Sequence, residues 1–250
     1  MDSPIVVDIQ NLTKIYPNRH EPAVNNLSLQ IHKGEFYGLL GPNGAGKTTT
    51  ISVASSLLKA TKGEVYLNGL NINEDLLKIK HVLGVVAQDI ALYEKMTAFE
   101  NLFYFGKLYG INRIDLKKRI DFLLDRLGLL KYKNDKILSY SGGMKRRINL
   151  MAGLLHNPDI LILDEPVVGV DVHSRNVIRE FLKEVNDDNT TIIYTSHMME
   201  DAEMLCSRLC IIDYGEMVEQ GSPQELIAKH SNCSTLEEVF LKLTGQKLRD

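Results

Sequence analysis

The apolar positions of this chain follow two different rhythms. Early in the chain they form short runs typical of β-strands, at 5–9, 23–31 and 36–40. Over 97–155 they are spaced as on helices, and the four residues Thr-Ala-Phe-Glu at 97–100 are typical of a capping box. The pattern therefore predicts a β-rich beginning followed by a helical lobe.

Strands and helices alternate in the following part of the chain. The apolar run 160–163 and the β-branched run 190–194 flank a helical pattern over 175–185. This β-α-β order is typical of a parallel sheet. No linker or repeat separates these parts, so a second lobe is expected to be inserted within the fold.

The last third of the chain predicts a hairpin and two short helices. The hairpin joins 211–213 to 216–218 across a Tyr-Gly turn. The helices are expected to open at the capping sequences 222–225 and 234–237.

Composition narrows the classes of protein that these elements can build. The chain has 250 residues, of which 44% are hydrophobic and 24% charged, and this usage is typical of a globular protein. Its 29 basic and 32 acidic residues give a net charge of −3, without the basic excess that a nucleic acid requires. We therefore expect no nucleic-acid partner.

The cysteines and the hydropathy predict the cellular setting. Three cysteines without a CxxC pair favour a reducing compartment over a disulfide framework, and the spacing of Cys206 and Cys210 predicts one buried helix face. The acidic start argues against a signal peptide, and no window reaches the ~18 apolar residues of a spanning helix.

The clearest chemical signal is a glycine-rich segment at 41–48 that fits G-x-x-x-x-G-K-[ST]. It lies between an apolar strand and a helix, and this context argues against a chance glycine-rich turn. Such a loop surrounds phosphate oxygens with backbone N–H groups, while Lys47 reaches the β/γ phosphates and Thr48 binds Mg²⁺. The predicted nucleotide-binding residues are Tyr16, Gly41, Pro42, Asn43, Gly44, Ala45, Gly46, Lys47, Thr48 and Thr49.

Two carboxylates follow the apolar run 160–163. Strand ends are where ligands bind in open α/β sheets, so Asp164 is predicted to hold Mg²⁺ and Glu165 to polarise the attacking water. A buried strand that ends in two solvated acids is the alternative. The phosphate loop in the same chain favours the catalytic interpretation.

A third motif, Ser141-Gly142-Gly143, precedes a predicted helix about twenty residues before Asp164. Backbone N–H groups at a helix N-terminus suit an anion. With the two motifs above, this segment resembles the signature of the ATP-binding subunits of ABC transporters, and the resemblance covers nearly the whole chain. It implies that Ser141, Gly142 and Gly143 complete the ATP site of a second subunit. Met144 replaces the usual glutamine, but the backbone donors remain.

The resemblance assigns roles to further residues. It implies that Tyr16 stacks on adenine, that Gln88 contacts Mg²⁺ and water, and that Asp171 lies along the dimer interface. His197 is expected to hydrogen-bond the γ-phosphate and to act with Glu165, Lys47 and Gln88 in catalysis. A half-buried strand tyrosine and a structural histidine are the ordinary alternatives for Tyr16 and His197.

The same resemblance implies the fold class. We expect an α/β protein with a P-loop NTPase core and a mostly parallel sheet, an N-terminal antiparallel β subdomain and an inserted α-helical subdomain. The whole chain, 1–250, would be one ABC ATPase domain. Its core would comprise 1–90 and 156–225, its helical insert 91–155 and its C-terminal helical extension 226–250.

The function implied is an ATPase that dimerises around two MgATP and powers export through a separate membrane-spanning permease. ATP and Mg²⁺ would be its cofactors, and the second subunit a copy or a close relative. The protein would be cytoplasmic and peripheral on the inner face of the cell membrane. The alternatives are a soluble ABC-type ATPase without a transport role and a phosphotransferase, and the latter does not account for Ser141-Gly142-Gly143 or His197.

Two segments bear on the partner. The segment 234–245 resembles the C-terminal helix of ABC-2 type exporter ATPases, although by spacing alone it is most simply a helix docked on its own core. An aromatic stretch over 93–109 has more apolar surface than one core-facing stripe needs, and it predicts a docking groove for the permease. The alternative is that these aromatics pack the helical lobe: Tyr93, Phe99, Phe103, Tyr104, Phe105 and Tyr109.

Overall fold

Two β-sheets organise the protein, as shown by a computed structural model that describes residues 3–17 and 19–245. In chain order the strands are β1 (Ile5–Lys14), β2 (Val24–His32), β3 (Phe36–Leu40), β4 (Lys62–Leu67), β5 (Leu70–Asn71), β6 (Leu83–Val86), β7 (Ile160–Asp164), β8 (Thr191–Ser196), β9 (Arg208–Asp213) and β10 (Glu216–Gly221). The helices are α1 (Lys47–Ala54), α2 (Leu76–Val82), α3 (Ala98–Leu108), α4 (Arg113–Arg126), α5 (Gly142–Leu154), α6 (Val172–Asp187), α7 (Met199–Leu205), α8 (Pro223–Lys229) and α9 (Leu236–Thr244).

The smaller sheet is the expected antiparallel subdomain. Its strands follow the order β2-β1-β4-β5, and each neighbouring pair is antiparallel. Strands β1 and β2 alternate buried and exposed positions because only one face of this sheet packs against the core. Its inward side chains pack with one face of the larger sheet in a common apolar cluster.

The larger sheet has the order β10-β9-β3-β8-β7-β6, and all its pairs are parallel except the β9–β10 hairpin. Every residue of β3, β7 and β8 is buried, as expected for central strands covered on both faces. The parallel order brings the carboxyl ends of β3, β8, β7 and β6 to one edge. The predicted mostly parallel core is therefore confirmed.

The helical insert forms the second face of the core. Helices α3, α4 and α5 bury their apolar sides in the cluster that also covers the larger sheet. The capping box is present at Thr97, whose side chain accepts from the Glu100 N–H while the Glu100 carboxylate accepts from the Thr97 N–H. This cap begins α3 at Ala98, as the sequence predicts.

Three local expectations differ from the structure. Helix α6 begins at Val172, after the cap residue Asp171, and therefore three residues before the predicted start. The cap of α9 is Thr235 and not Ser234, because the Thr235 side chain accepts from the Glu238 N–H. Cys206 and Cys210 do not share a helix: Cys206 ends α7, and Cys210 lies within β9. Both are buried, so the prediction that they are core residues is confirmed.

Helix α9 docks on its own core. Leu236 and Val239 are fully buried, and Phe240 and Leu243 pack against the same cluster. Residues 246–250 of the expected C-terminal extension lie outside the described residues. Within the part of the chain that the structure describes, no helix combines the length and the apolar character that spanning a membrane requires.

Candidate functional site

The glycine-rich segment forms a loop between β3 and α1, as its sequence predicts. A Cβ atom at Gly46, where φ is 103°, would lie 2.4 Å from the Ala23 carbonyl oxygen, and one at Gly41 would lie 2.4 Å from that of Ile212. Glycine is therefore required at both positions. The loop lines an open cleft of about 670 Å³ whose other walls include Tyr16, Gln88 and Glu165.

Lys47 is the buried cation of this cleft. Its Nζ donates to the carbonyl oxygens of Gly41 at 2.6 Å and of Pro42 at 3.0 Å. Burial lowers the pKa of Lys47, while the carboxylates of Glu165 and Asp164 act in the opposite direction. The ammonium group thus bonds to the loop carbonyls and experiences the charges of the two acids at the carboxyl end of β7.

Asp164 and Glu165 lie at the carboxyl end of β7. Asp164 is buried, and Glu165 adopts a φ of 48°, in the left-handed region that non-glycine residues rarely occupy. Both residues bond to Thr195 of the neighbouring strand β8. Its Oγ1 donates to Asp164 Oδ1 at 2.6 Å and accepts from the Glu165 N–H at 2.9 Å. The backbone conformation that aims Glu165 is therefore held by the adjacent strand.

The Glu165 carboxylate is bracketed by two further predicted residues. Its Oε1 lies 3.2 Å from His197 Nδ1, and its Oε2 accepts from Gln88 Nε2 at 3.4 Å. These residues follow β8 and β6, the two strands that flank β7 in the sheet. The parallel order of the strands thus brings Gln88, Glu165 and His197 together, as the sequence predicts.

Tyr16 lies on the rim of the cleft, just beyond the end of β1. Its ring is half-buried, and its hydroxyl is 3.3 Å from Thr49 Oγ1. The Lys14 ammonium lies 5.6 Å from the ring centroid. The structure therefore places Tyr16 beside the phosphate loop.

The segment Ser141-Gly142-Gly143 opens α5, and it forms a surface separate from the cleft. Ser141 caps the helix by accepting from the Met144 N–H. A Cβ atom on Gly143 would lie 2.5 Å from Ser174 Oγ of α6 and 3.0 Å from Asp171 Oδ2. Ser141, Gly142 and Asp171 are exposed, and Gly143 is buried close to Asp171 and Ser174. The residues that line the cleft include none of these.

Two residues that contact the site were not anticipated. One is Thr195, for which the sequence predicts only an ordinary β-branched residue at the end of a strand. The other is Arg146 of α5, whose Nη1 donates to the carbonyl oxygens of Gln88 at 2.7 Å and of Ala87 at 3.3 Å. An arginine on a helix is usually predicted to be exposed to solvent, so the sequence does not indicate this contact.

The aromatic stretch divides into a buried and an exposed part. Phe99, Phe103 and Phe105 pack against the core, whereas the side chains of Tyr93 and Tyr104 are 50% and 41% exposed. The Tyr93 and Tyr104 rings meet edge to face with centroids 5.4 Å apart. The phenylalanines therefore pack the helical lobe, whereas Tyr93 and Tyr104 form an exposed aromatic pair, and the docking groove stays a prediction.

A strand, a phosphate loop and a helix, with paired acids at the end of a neighbouring parallel strand, define the class of P-loop nucleotide-hydrolysing proteins. Within that class, the family model described as ABC transporter matches residues 24–168, so this chain belongs to the ABC transporter family. It is an ATP-binding subunit of that family, and the predicted family is confirmed.

Relatives and solved structures agree with this assignment. The chain is 46% identical over 224 residues to the linearmycin resistance ATP-binding protein LnrL of Bacillus subtilis, covering 90% of this chain and 71% of the relative. It is 37% identical over 232 residues to the Nod factor export ATP-binding protein I of Cupriavidus pinatubonensis, covering 93% and 71%. A dimeric ATP-binding cassette in a post-hydrolysis state with ADP and Pi superposes with a TM-score of 0.80 at 28% identity, covering 86% of this chain and 98% of the cassette.

Proposed function

We propose that the protein hydrolyses ATP as a dimer around two MgATP and powers export through a separate membrane-spanning subunit. The observation that carries the proposal is the division of the predicted residues into two surfaces. Lys47 and Glu165 line the cleft, and Asp164 and His197 are bonded to Glu165 or to its partner Thr195, whereas Ser141 and its neighbours neither line the cleft nor bond to these residues within the described part of the chain.

Within the cleft, the loop N–H groups and Lys47 would hold the phosphates. To do so, Lys47 exchanges its two carbonyl partners for phosphate oxygens. The exposed Thr48 hydroxyl, the buried Asp164 carboxylate and the Gln88 amide oxygen form an oxygen-donor set that fits Mg²⁺. When bound, Mg²⁺ neutralises phosphate charge.

Glu165 is the proposed general base. It lies beyond Asp164, and its carboxylate faces His197 and Gln88, which suits it to take a proton from water. His197 bonds to the Glu165 carboxylate through Nδ1, and as an imidazolium, which carries a proton on each ring nitrogen, it would also donate from Nε2 to a γ-phosphate oxygen. Tyr16, on the rim beside Thr49, would stack on the adenine.

The second surface would complete the site of another subunit. Ser141, Gly142 and Gly143 present the N-terminus of α5, and Asp171 presents that of α6, on a surface outside their own cleft. An anion there would come from a nucleotide held by a partner. The dimeric cassette that superposes on this chain supports this arrangement.

Mixing two inactive variants tests the composite site. Lys47→Ala disables the cleft, and Ser141→Arg blocks the signature surface. Random pairing of equal amounts makes half of the dimers mixed, each with one intact composite site, so about one quarter of wild-type ATPase activity should return. Each variant alone is the control. A mixture of proven mixed dimers that stays as inactive as its components would contradict the proposal, as would concentration-independent activity of a monomer.

The named functions of the relatives, linearmycin resistance and Nod factor export, favour an exporter of the ABC-2 type. We propose that this protein acts at the inner, cytoplasmic face of the cell membrane. Its permease would dock on the exposed aromatic pair Tyr93 and Tyr104, which lies near the Gln88 segment in the chain.

The docking surface is tested by Tyr93→Ser and Tyr104→Ser. Both variants should lose recovery with membranes that contain the permease while keeping ATP binding and thermal stability. Phe122→Ser is the matched control, because Phe122 is a 52% exposed aromatic residue on α4 of the same helical lobe. If all three variants sediment with membranes as the wild type does, docking occurs elsewhere. If the wild type itself does not sediment, the proposed permease partner is wrong.

A further inference from the structure

Thr195 is the residue of strand β8 that bonds to both acids of the site, Asp164 and Glu165. It is fully buried, and it pairs with Asp164 in the parallel β7–β8 register. Its hydroxyl has one proton, and the nearest acceptors are Asp164 Oδ1 at 2.6 Å and the Leu163 carbonyl oxygen at 3.4 Å. The hydroxyl donates its hydrogen bond to the carboxylate, because that acceptor is closer and charged.

The oxygen of the same hydroxyl also accepts a hydrogen bond from the backbone of Glu165, the residue after Asp164. The Glu165 N–H donates to Thr195 Oγ1 at 2.9 Å. This bond matters because Glu165 has a φ of 48°, a conformation that persists in a non-glycine residue only when its surroundings hold it. One hydroxyl thus bonds the side chain of Asp164 and the main chain of Glu165.

We infer that Thr195 is a positioning residue, which orients Asp164 toward a divalent cation and fixes the backbone that aims Glu165 at water. The inference rests on the proposed function, since it assigns Thr195 an effect through those two acids. Without the hydroxyl, the buried Asp164 oxygen and the Glu165 N–H each lose a partner. Both groups would then reorient, and the Asp164 carboxylate would no longer be aligned to hold Mg²⁺.

The same strand provides a matched control. Thr191 is also fully buried, and its Oγ1 accepts from the Gly34 N–H at 2.9 Å. It lies at the opposite end of β8, at the sheet edge away from the cleft. Replacing either threonine by valine removes the hydrogen bonds of one buried hydroxyl from the same strand. Only the replacement at Thr195 removes bonds to Asp164 and Glu165.

The experiment compares Thr195→Val, Thr195→Ser and Thr191→Val in the full chain. For Thr195→Val we expect a fall in kcat of about 10- to 100-fold, the usual effect of removing a residue that orients a metal ligand. Thr195→Ser keeps the hydroxyl and should restore kcat to near the wild-type value. Thr191→Val should lower the melting temperature about as much as Thr195→Val while leaving kcat unchanged. Equal losses of kcat in the two valine variants, or a serine variant as slow as the valine variant, would overturn the inference.

A second readout does not depend on turnover. In the Glu165→Gln background, the affinity for a fluorescent ATP analogue is measured with and without Mg²⁺. Adding Thr195→Val should reduce the gain in affinity that Mg²⁺ provides and leave the metal-free affinity unchanged. An unchanged gain would contradict the effect on Asp164. If Thr195→Val does not fold, Thr195→Ala and Thr195→Ser are compared instead, since this pair differs only by the hydroxyl, and equal behaviour would overturn the inference.

Failure of the inference and failure of the proposed function give different results. If Glu165→Gln alone keeps wild-type turnover, the assignment of the general base is wrong, whatever the threonine variants show. If Glu165→Gln is inactive and Thr195→Val is as active as the wild type, only the positioning role of Thr195 is wrong.

Discussion

Replacing Glu165 by glutamine should separate hydrolysis from binding, because it keeps the shape of the side chain and removes the proposed base. The carboxylate bonds to His197 Nδ1 at 3.2 Å and to Gln88 Nε2 at 3.4 Å, and its side chain is only 11% exposed. A glutamine amide has one acceptor oxygen for these two neighbours, and its NH₂ group cannot take a proton from water. Loss of a general base lowers the rate about 10²- to 10⁴-fold, which corresponds to roughly 3–5 kcal/mol in the activation barrier.

The nucleotide should still bind to this variant. The charge of Glu165 raises the pKa of Lys47 against the lowering effect of burial, so its removal lowers that pKa further. The Lys47 ammonium group keeps its place in the loop, because its bonds to the Gly41 and Pro42 carbonyl oxygens do not involve Glu165. A negative charge near the phosphates is also removed. The affinity for MgATP should therefore be equal to or higher than that of the wild type, whereas Lys47→Ala should weaken it.

Three measurements on the same protein test this reasoning. Phosphate release gives turnover, equilibrium titration with MgATP gives affinity, and light scattering gives the fraction of dimer. Glu165→Gln should lose turnover, bind MgATP and accumulate as a nucleotide-bound dimer. Glu180→Gln, on the exposed side of α6, is the matched control and should behave as the wild type does. Near-normal turnover of Glu165→Gln, or a parallel loss of turnover and binding, would refute the role of Glu165.

Two further predictions concern the signature helix and the pH dependence of stability. Gly143→Ala should lower the melting temperature and the ATPase activity, because the new Cβ would lie 2.5 Å from Ser174 Oγ; Gly142→Ala, with nothing within 4 Å, should leave the melting temperature unchanged. Burial lowers the pKa of His156, which stacks on Tyr109 with ring centroids 3.8 Å apart, from the ordinary 6.5. The contribution of neutral His156 to stability is present above that value and is lost as the pH falls through the lower folded pKa. Lowering the pH from about 7.5 to about 5.5 should therefore reduce the free energy of unfolding, measured with urea, more in the wild type than in His156→Phe. Equal melting temperatures of the glycine variants, or equal pH dependence of the two proteins, would contradict these statements.

The cleft could be predicted because it depends on where strands end. Each of three apolar runs leads to a chemically distinctive residue or loop. Strand β3 leads to the phosphate loop with Lys47, β7 ends at Asp164, and β8 is followed by His197. Parallel strands present their carboxyl ends at one edge of a sheet, so sequence order and strand type suffice to bring these side chains together. The loop also carries its own pattern of glycines, and Gly46 shows why, since a Cβ there would meet the Ala23 carbonyl.

Contacts that depend on side-chain direction could not be predicted in the same way. The spacing of Cys206 and Cys210 fits one helix face, but it also fits a chain that leaves a helix and enters a strand, which is what the structure shows. Thr195 has the residue type of any central strand, and its two bonds follow from register with β7. Arg146 reaches the Gln88 segment only because α5 packs against β6, a tertiary arrangement that has no local pattern.

Helix α5 joins the two surfaces of the proposed dimer within one chain. Its first turn carries the exposed Gly142 and the buried Gly143, which lies close to Ser174 of α6, and its next turn carries Arg146, which is bonded to the Gln88 carbonyl oxygen. A short helix moves as one body because its backbone hydrogen bonds are internal. Any displacement imposed at its N-terminus by a partner's nucleotide therefore moves the Arg146 guanidinium as well. Since the Gln88 side chain donates to Glu165, that displacement would reach the proposed general base of the chain's own cleft.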